Sequence, residues 1–372
     1  MKISYLSNSP IARPVANAVH VMQMCAALAA NGHQVVLHAK CRDQDTDASF
    51  TRYAVPPDFR ISASWAGTVP QLSPIVYGLM QALKARFRYK SDVCYARCLL
   101  SAFFASLLGM TVVVELHEVP HSKPLRLLVG RLLNSANVKR CVVISEGLLA
   151  DVQSAYPEAV GRGMQWLVAH DGANLPDTAQ RFELSGTVTG CQVGYAGGLR
   201  AGNGIELVLR LAQRFPMHEF HIMGGKAEEI EHWKSLQRSQ NITWYGQREP
   251  RQVASFLLAC DVLLAPYQHG PKTAAGRDTS RWMSPLKVFE YMASGRPMVI
   301  SDFPVLREVL RDDIAIIVDP EGFELWVQAV DKLAQNPALR TEMGKGASLA
   351  LEEKYTWKVR AKAVVAGLEA QV

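Results

Sequence analysis

The sequence predicts an α/β protein of two doubly wound domains, each a parallel sheet between helices, facing a cleft. Three observations lead there. The chain has 372 residues, which suits two domains at ~150 residues each better than one or four. Apolar strand-like runs alternate with stretches of helical spacing, the pattern of parallel sheets with right-handed crossovers. The alternation pauses once, over the polar stretch 177–189, and then restarts, which reads as a linker.

The elements follow in order. Residues 2–7 are a short apolar run, and 8–17 read as the loop after it, with Pro10 and Pro14. Over 18–30, Val21, Met24, Cys25 and Leu28 recur at helical spacing, Gly32 ends the helix, and 34–39 is the next strand. Further strands are expected at 93–96, 111–115, 140–145 and 165–169, with a buried helix at 99–108. The stretch from Cys98 to Val114 carries no charge. It falls short of the ~20 apolar residues of a membrane span, and Gly109 divides it. After the linker, strands are expected at 192–197, 219–223, 242–245, 261–266, 298–301 and 314–318. Helices are expected at 204–215, 250–260 and 284–294, and they dominate from 323 onward. Ligands of such sheets sit outside the carboxyl ends of the strands.

Composition excludes several classes. Hydrophobic residues at 49% and charged residues at 20% describe a folded protein rather than a disordered one. Seven cysteines without a C-x-x-C pair fit neither a disulfide framework nor a zinc ribbon, and a reducing cytosol suits them. Met1-Lys2-Ile3 runs straight into a strand, so no signal peptide is read and a cytoplasmic location is expected. The first loop has no G-x-G-x-x-G, which argues against NAD. The net charge of +6 has two centres. One is Lys84, Arg86, Arg88 and Lys90, after Leu72, Val76, Leu79 and Leu83. The other is Lys123, Arg126, Arg131, Lys139 and Arg140, among several leucines. Basic faces beside apolar ones suit a peripheral contact with an anionic membrane, at ~1 kcal/mol per cation; a solvated amphipathic helix has the same letters. No basic stripe interleaved with aromatics points to nucleic acid.

The most informative stretch is 284–295. Ser284 can be an N-cap with Pro285 at the first helical position, and Gly295 supplies the stop. The N–H groups of Leu286 and Lys287 then make an anion site. Lys287 puts a cation in the first turn, where the helix dipole alone would favour an acid; a phosphate there resolves the conflict. Glu290, three residues on, shares its face and suits two vicinal ribose hydroxyls. A surface helix with a Lys–Glu pair worth ~0.2–0.5 kcal/mol reads the same way.

With the stretches around it, this segment resembles the retaining glycosyltransferases of family 4, which have the GT-B fold. The matching residues are Ser284 to Gly295, Pro297 to Ser301 and Pro304 to Glu308. Upstream they are Val193 to Leu199, Gly202 to Glu206, Gly224-Gly225, Tyr245-Gly246 and Asp261 to Tyr267. Val19 to Val21, Gly32 to Val35, Glu115 to His117 and Ser145 match in the first half. The resemblance implies two Rossmann-like domains: 1–176 for the acceptor and 177–355 for the nucleotide sugar. A helix over 356–372 would return to the N-terminal domain.

The resemblance also implies roles. Glu290 would hold the donor ribose. Leu286 and Lys287 would meet the diphosphate, with Ser284 and Pro285 beside them in the donor site, and Gly197 and Gly198 would form the close-approach turn. His117 would lie near the reacting sugar. Arg13 and Asn17 could reach the acceptor or a phosphate, or belong to a plain surface loop, and His20 could touch the acceptor or pack in the core. Two departures stand out. Where the family often has a first glutamate, this chain has Trp282, so the usual contact to the donor sugar's hydroxyls is missing; Arg281 and Trp282 are counted with the donor-binding residues. Where it tends to have Arg and Lys after the glycine turn, the chain has Gly198 and Asn203, and Arg200 is the nearest cation, with Arg277 and Arg281 before the helix. His117, Lys287 and Arg200 are the expected catalytic set. No metal or cofactor is implied, and no Asp-x-Asp precedes a plausible sugar-binding loop. The expected activity is metal-independent, retaining transfer of a hexose from a UDP- or GDP-sugar to a glycan or lipid-linked acceptor, in surface polysaccharide assembly. The rivals are a degenerate scaffold subunit that binds but does not transfer, and a sugar-nucleotide epimerase or hydrolase.

Overall fold

The structure is a computed structural model and describes residues 1–12, 15–42, 45–63, 73–176, 182–186, 190–268 and 279–368. The chain divides into two compact units, one of Met1–Asp171 with the chain from Trp357 onward, the other Gly172–Thr356.

The first unit holds a seven-stranded parallel sheet. Its strands are β1 (Lys2–Pro10), β2 (Gln34–Lys40), β3 (Arg60–Ala63), β4 (Val93–Ala96), β5 (Thr111–Leu116), β6 (Val138–Val143) and β7 (Gln165–Val168), in the order β3-β2-β1-β4-β5-β6-β7. The second unit holds six: β8 (Gln192–Ala196), β9 (Glu219–Met223), β10 (Ile242–Gly246), β11 (Val262–Ala265), β12 (Met298–Ser301) and β13 (Ile316–Val318), in the order β10-β9-β8-β11-β12-β13. Every pairing is parallel. Each order reverses beside its first strand, at β1/β4 and at β8/β11. Such a reversal opens a crevice at the carboxyl ends of the strands.

Burial explains the near-continuous apolar strands. All four residues of β11 and of β12 are buried. Along β12 the side chains alternate between two cores: Met298 and Ile300 pack with the helix Leu286–Ser294, while Val299 packs with the helices Ile205–Arg214 and Phe323–Gln335. Helices therefore cover both faces. The helix Trp357–Val365 belongs to the first unit, where Asn31 Nδ2 donates to the Lys358 carbonyl at 2.9 Å.

The structure corrects several expectations. β1 runs on to Pro10, and the following helix starts at Ala16, so Asn17 stands in a helical turn rather than a loop. The edge strand β3 has one fully buried-face residue in four, too weak an alternation to announce itself. Within the supposed linker, Phe182 and Leu184 pack on the second unit's core; Phe182 meets Tyr245 and Phe256 edge-on at 5.2 and 5.6 Å. Arg140 is no surface cation. It is buried, and its guanidinium donates to the carbonyls of Ala363, Val364 and Ala366 at 3.2, 2.7 and 2.7 Å, groups a helix C-terminus leaves unpaired. All seven cysteines are buried free thiols. Among the described residues, no helix is long and apolar enough to cross a membrane.

Candidate functional site

In the second unit the two ends of the β8/β11 reversal carry the candidate donor site. β8 ends in Tyr195 and Ala196, and the chain then turns at Gly197 with φ 149°, a backbone that L side chains rarely adopt. Gly197 N–H donates to the Met223 carbonyl at 2.9 Å. Gly224, at φ 119°, comes so near that a Cβ on it would stand 2.0 Å from the Gly197 carbonyl oxygen. Two glycines are thus required for two backbones to touch.

Lys287 enters the same corner from the helix Leu286–Ser294. A Cβ on Gly197 would lie 3.0 Å from both Cε and Nζ of Lys287. Nζ stands 4.3 Å from the Tyr195 ring centre and 4.7 Å from that of Tyr267, and donates to the Tyr195 hydroxyl at 3.1 Å. That hydroxyl donates in turn to the Gly198 carbonyl at 2.7 Å, which Asn203 Nδ2 also reaches at 2.9 Å. Two aromatic faces and one phenol hold the ammonium, which is in no ion pair among the described residues. Burial pushes its pKa down to about 7, against a smaller lift from Glu290. Burial raises Glu290, with Lys287 opposing.

The helix start differs from the sequence reading. Pro285, extended at φ −77° and ψ 118°, is the N-cap residue and Leu286 opens the helix. Ser284 therefore stands before the cap instead of forming it. Pro285 still fixes the entry, and its carbonyl accepts from Val288 N–H at 3.0 Å. Helix geometry leaves the N–H groups of Leu286 and Lys287 without intrahelical partners. Tyr291, one turn on from Lys287, accepts from Ala196 N–H at 2.8 Å and donates to the Leu264 carbonyl at 3.1 Å, tying the helix to the ends of β8 and β11. Glu290, with Ala293 and Ser294 of the same helix, lines a recess whose other walls are Asn174, Pro176, Pro250, Val253, Ala254 and Leu257. Arg200 is exposed on the turn after Gly198. Arg281 is exposed and Trp282 half-buried in a turn where Trp282 and Met283 N–H both bond the Thr279 carbonyl. Arg277 lies outside the described residues.

In the first unit His117 follows β5, and its surroundings form a buried ionic cluster. Glu115 Oε1 accepts from His117 Nε2 at 2.5 Å and from Arg360 Nη2 at 3.1 Å, while Tyr95 O–H donates to Oε2. His20 is 2% exposed; its Nδ1 meets Asp171 Oδ1 at 2.7 Å. Its Nε2 lies 3.0 Å from Glu115 Oε1 but is misaligned for a hydrogen bond and has no partner. Burial alone would raise the Glu115 carboxyl, yet Arg360 and His20 hold it well below the usual carboxylate range. Burial, then the Arg97 charge, takes His117 down to about 4. Asn17 is exposed, and its carbonyl accepts from Arg97 at 3.4 Å. Arg13 lies outside the described residues. Ligand atoms of His20, Glu115 and His117 lie within 4.8 Å of one another, a spacing that suits a metal ion. Arg360 at 3.1 Å and Arg97 at 4.0 Å from the same oxygen already supply the positive charge, and a dication would meet both guanidinium groups.

Sequence reasoning missed Tyr195 and Tyr267 as the cradle of Lys287, and Asp171 and Arg360 as partners in the histidine cluster. Tyr195 and Tyr267 did stand in the quoted stretches. Nothing in their spacing shows that rings 72 positions apart close on one ammonium; the β8/β11 pairing does that.

Comparison with known proteins agrees with this layout. A family model described as Glycosyl transferases group 1 matches residues 190–336, and one described as Glycosyltransferase Family 4 matches 18–160. A Bacillus subtilis (strain 168) protein described as a glycosyltransferase of teichuronic acid biosynthesis, TuaH, is 27% identical over 179 residues. That match covers 48% of this chain and 42% of the relative, so less than half of the relative's length is represented. Among solved structures, sucrose-phosphate synthase from Thermosynechococcus elongatus superposes with a TM-score of 0.73 at 18% identity, over 100% of this chain and 98% of that one. Anabaena Alr3699/HepE, solved with UDP and with UDP-glucose, does so at 0.69 and 14%, over the whole of both chains. With both sheets in Rossmann order and each unit matched by its own model, the chain belongs to the GT-B glycosyltransferases of family-4 type.

Proposed function

We propose that this protein transfers a hexose, with retention of anomeric configuration and without a metal, from a UDP- or GDP-sugar to a glycan or lipid-linked acceptor in surface polysaccharide assembly. The observation that carries the reading is Lys287, held by two tyrosine rings against the Gly197 turn and in no ion pair among the described residues. A cation that gives up hydration for aromatic faces is a site kept ready for an anion, and the first N–H groups of its helix are donors for the same anion. A nucleoside diphosphate leaving group gains charge as the glycosidic bond breaks. Fixed donors stabilise that charge most where water is excluded, and losing one such donor typically costs ~2.7–4 kcal/mol. Glu290 in the wall of its recess suits the ribose hydroxyls, and the apolar walls of Pro250, Val253 and Leu257 suit the base. Alr3699/HepE, by its description, binds UDP and UDP-glucose, which favours UDP. Exposed Ile75, Val76, Met80 and Phe87 beside Lys84, Arg86, Arg88 and Lys90 support peripheral contact with an anionic membrane. On this reading the protein works in the cytoplasm, Arg200 assists the diphosphate, and Asn17 and His20 serve the acceptor side.

Calorimetry with UDP and GDP tests the donor site. One of them binds, and Glu290→Ala weakens it by about 1.5–3 kcal/mol, the scale of hydrogen bonds to a charged group. Unchanged binding in that variant removes Glu290 from the site. Turnover of donor without acceptor would instead favour an epimerase or hydrolase, and binding without any turnover a scaffold.

A further inference from the structure

We propose that Glu115 and Arg360 are positioning residues that set the tautomer of His117, so that its Nδ1 is offered as a hydrogen-bond acceptor to a sugar hydroxyl. The inference rests on His117 belonging to the proposed transfer site. The geometry is over-determined. Both oxygens of Glu115 are engaged, Oε2 by Tyr95 and Oε1 by His117 and Arg360, so the carboxylate cannot rotate. Arg360 is itself fixed, donating to the carbonyls of His170 at 2.8 Å and Ala169 at 3.1 Å. Its side chain is 2% exposed and that of Glu115 is 0%.

A carboxylate without a proton only accepts, so the 2.5 Å contact requires His117 to donate from Nε2. A neutral imidazole carries one proton. Nδ1 then holds the lone pair, on a side chain that is 27% exposed while its neighbours are closed off. The titratable groups facing the ring are Glu115, Arg97 and His20, with Arg360 behind Glu115 and Asp171 behind His20. Burial and Arg97 keep the ring neutral well below physiological pH. His117 therefore accepts a hydrogen bond and does not present an imidazolium to the leaving phosphate. Arg360 reaches the carboxylate that holds this ring from the far end of the sequence, which gives the helix Trp357–Val365 a part in the site as well as in the fold.

The test reads the ring nitrogens directly. In the full chain labelled with ¹⁵N-histidine, long-range proton–nitrogen correlation spectra report which nitrogen carries the proton; loss of one signal set in His117→Gln assigns His117. The wild-type ring is expected as the neutral Nε2–H form throughout about pH 5.5–8. A Nδ1–H form, or titration near about 6.5, overturns the proposal without any variant. Glu115→Gln is expected to populate both tautomers and to lower kcat roughly tenfold or more, short of the ~10²–10⁴-fold that an acid–base group itself contributes, with donor KM changed less than about twofold. Arg360→Gln has the same signature, and Arg360→Lys restores most of the Nε2–H form and of kcat. An unaltered tautomer in every folded variant, or a rise in KM alone, overturns the positioning role. If no donor is turned over by the wild type, the transfer reading fails while the nitrogen spectra still decide the tautomer.

Discussion

At the scale of single residues, Lys287 is the clearest case of chemistry that the local rules of a helix oppose. A cation in the first turn works against the helix dipole, and two tyrosine rings compensate only part of the lost hydration. Its pKa of about 7 yields a pH prediction. A bound diphosphate stabilises the ammonium and raises that pKa. Above about pH 7 the free protein must take up a proton to bind, so nucleotide affinity falls as pH rises, approaching tenfold per unit until the bound-state pKa is passed. Below it the lysine is already charged and the dependence flattens. Calorimetry over about pH 6–9 checks this, and Lys287→Met is expected to remove the slope while weakening binding throughout. A slope that survives in Lys287→Met would place the titrating group elsewhere. The letters showed Lys287 because its misfit with the helix is local. They could not show its cradle, because Tyr195 and Tyr267 join it through strand pairing. Arg360 was invisible for the same reason: 245 positions separate it from Glu115.

At the scale of elements, the sheets were legible and the surface was not. Central strands such as β4, β9 and β12 are buried end to end, so their bounds can be read from apolar content. Edge strand β3 and the helix Ala227–Leu236, which buries only Trp233, have no such signature. The two basic groups show the limit of periodicity. One includes Arg140, which turned inward to cap a helix. The other continues the helix Ser73–Leu83, where Ile75, Val76 and Met80 are 47%, 53% and 47% exposed, into a π-helical turn with Phe87 64% exposed between Arg86 and Arg88. Apolar side chains flanked by cations bury in a headgroup layer at a gain from both terms. Sedimentation with vesicles containing anionic lipid is expected to carry the protein down. Val76→Ser combined with Phe87→Ser should cut the bound fraction severalfold, and added salt should weaken the rest. Binding equally to neutral vesicles, or to neither kind, would leave this helix as a solvated one.

At the scale of the whole molecule, chain order and unit order differ, and the difference is measurable. The second unit is continuous over Gly172–Thr356, whereas the first needs the chain from Trp357 onward. The alternation of elements revealed two sheets but not this exchange, which entered only as an implication of the family resemblance, since a C-terminal helix carries no mark in its own letters of which core it joins. Its contacts to the first unit are specific. Arg360 neutralises Glu115, Arg140 caps its carbonyls, and the Trp357 ring meets His20 edge-on at 5.1 Å. A fragment of residues 172–356 should therefore unfold cooperatively and still bind nucleotide, because Lys287, Glu290 and the Gly197 turn all belong to it. A fragment of residues 1–171 keeps Glu115 and Asp171 inside but loses the Arg360 guanidinium, the nearer of the two at Glu115. Removing one partner of a buried pair costs about 3–5 kcal/mol, a large share of the ~5–15 kcal/mol that holds a domain together. That fragment should show no cooperative thermal transition until a peptide spanning 357–372 is added. Recovery with the native peptide and not with one carrying Arg360→Gln would tie the effect to the charge. A stable fragment 1–171 on its own would mean that the ionic cluster contributes little to the fold.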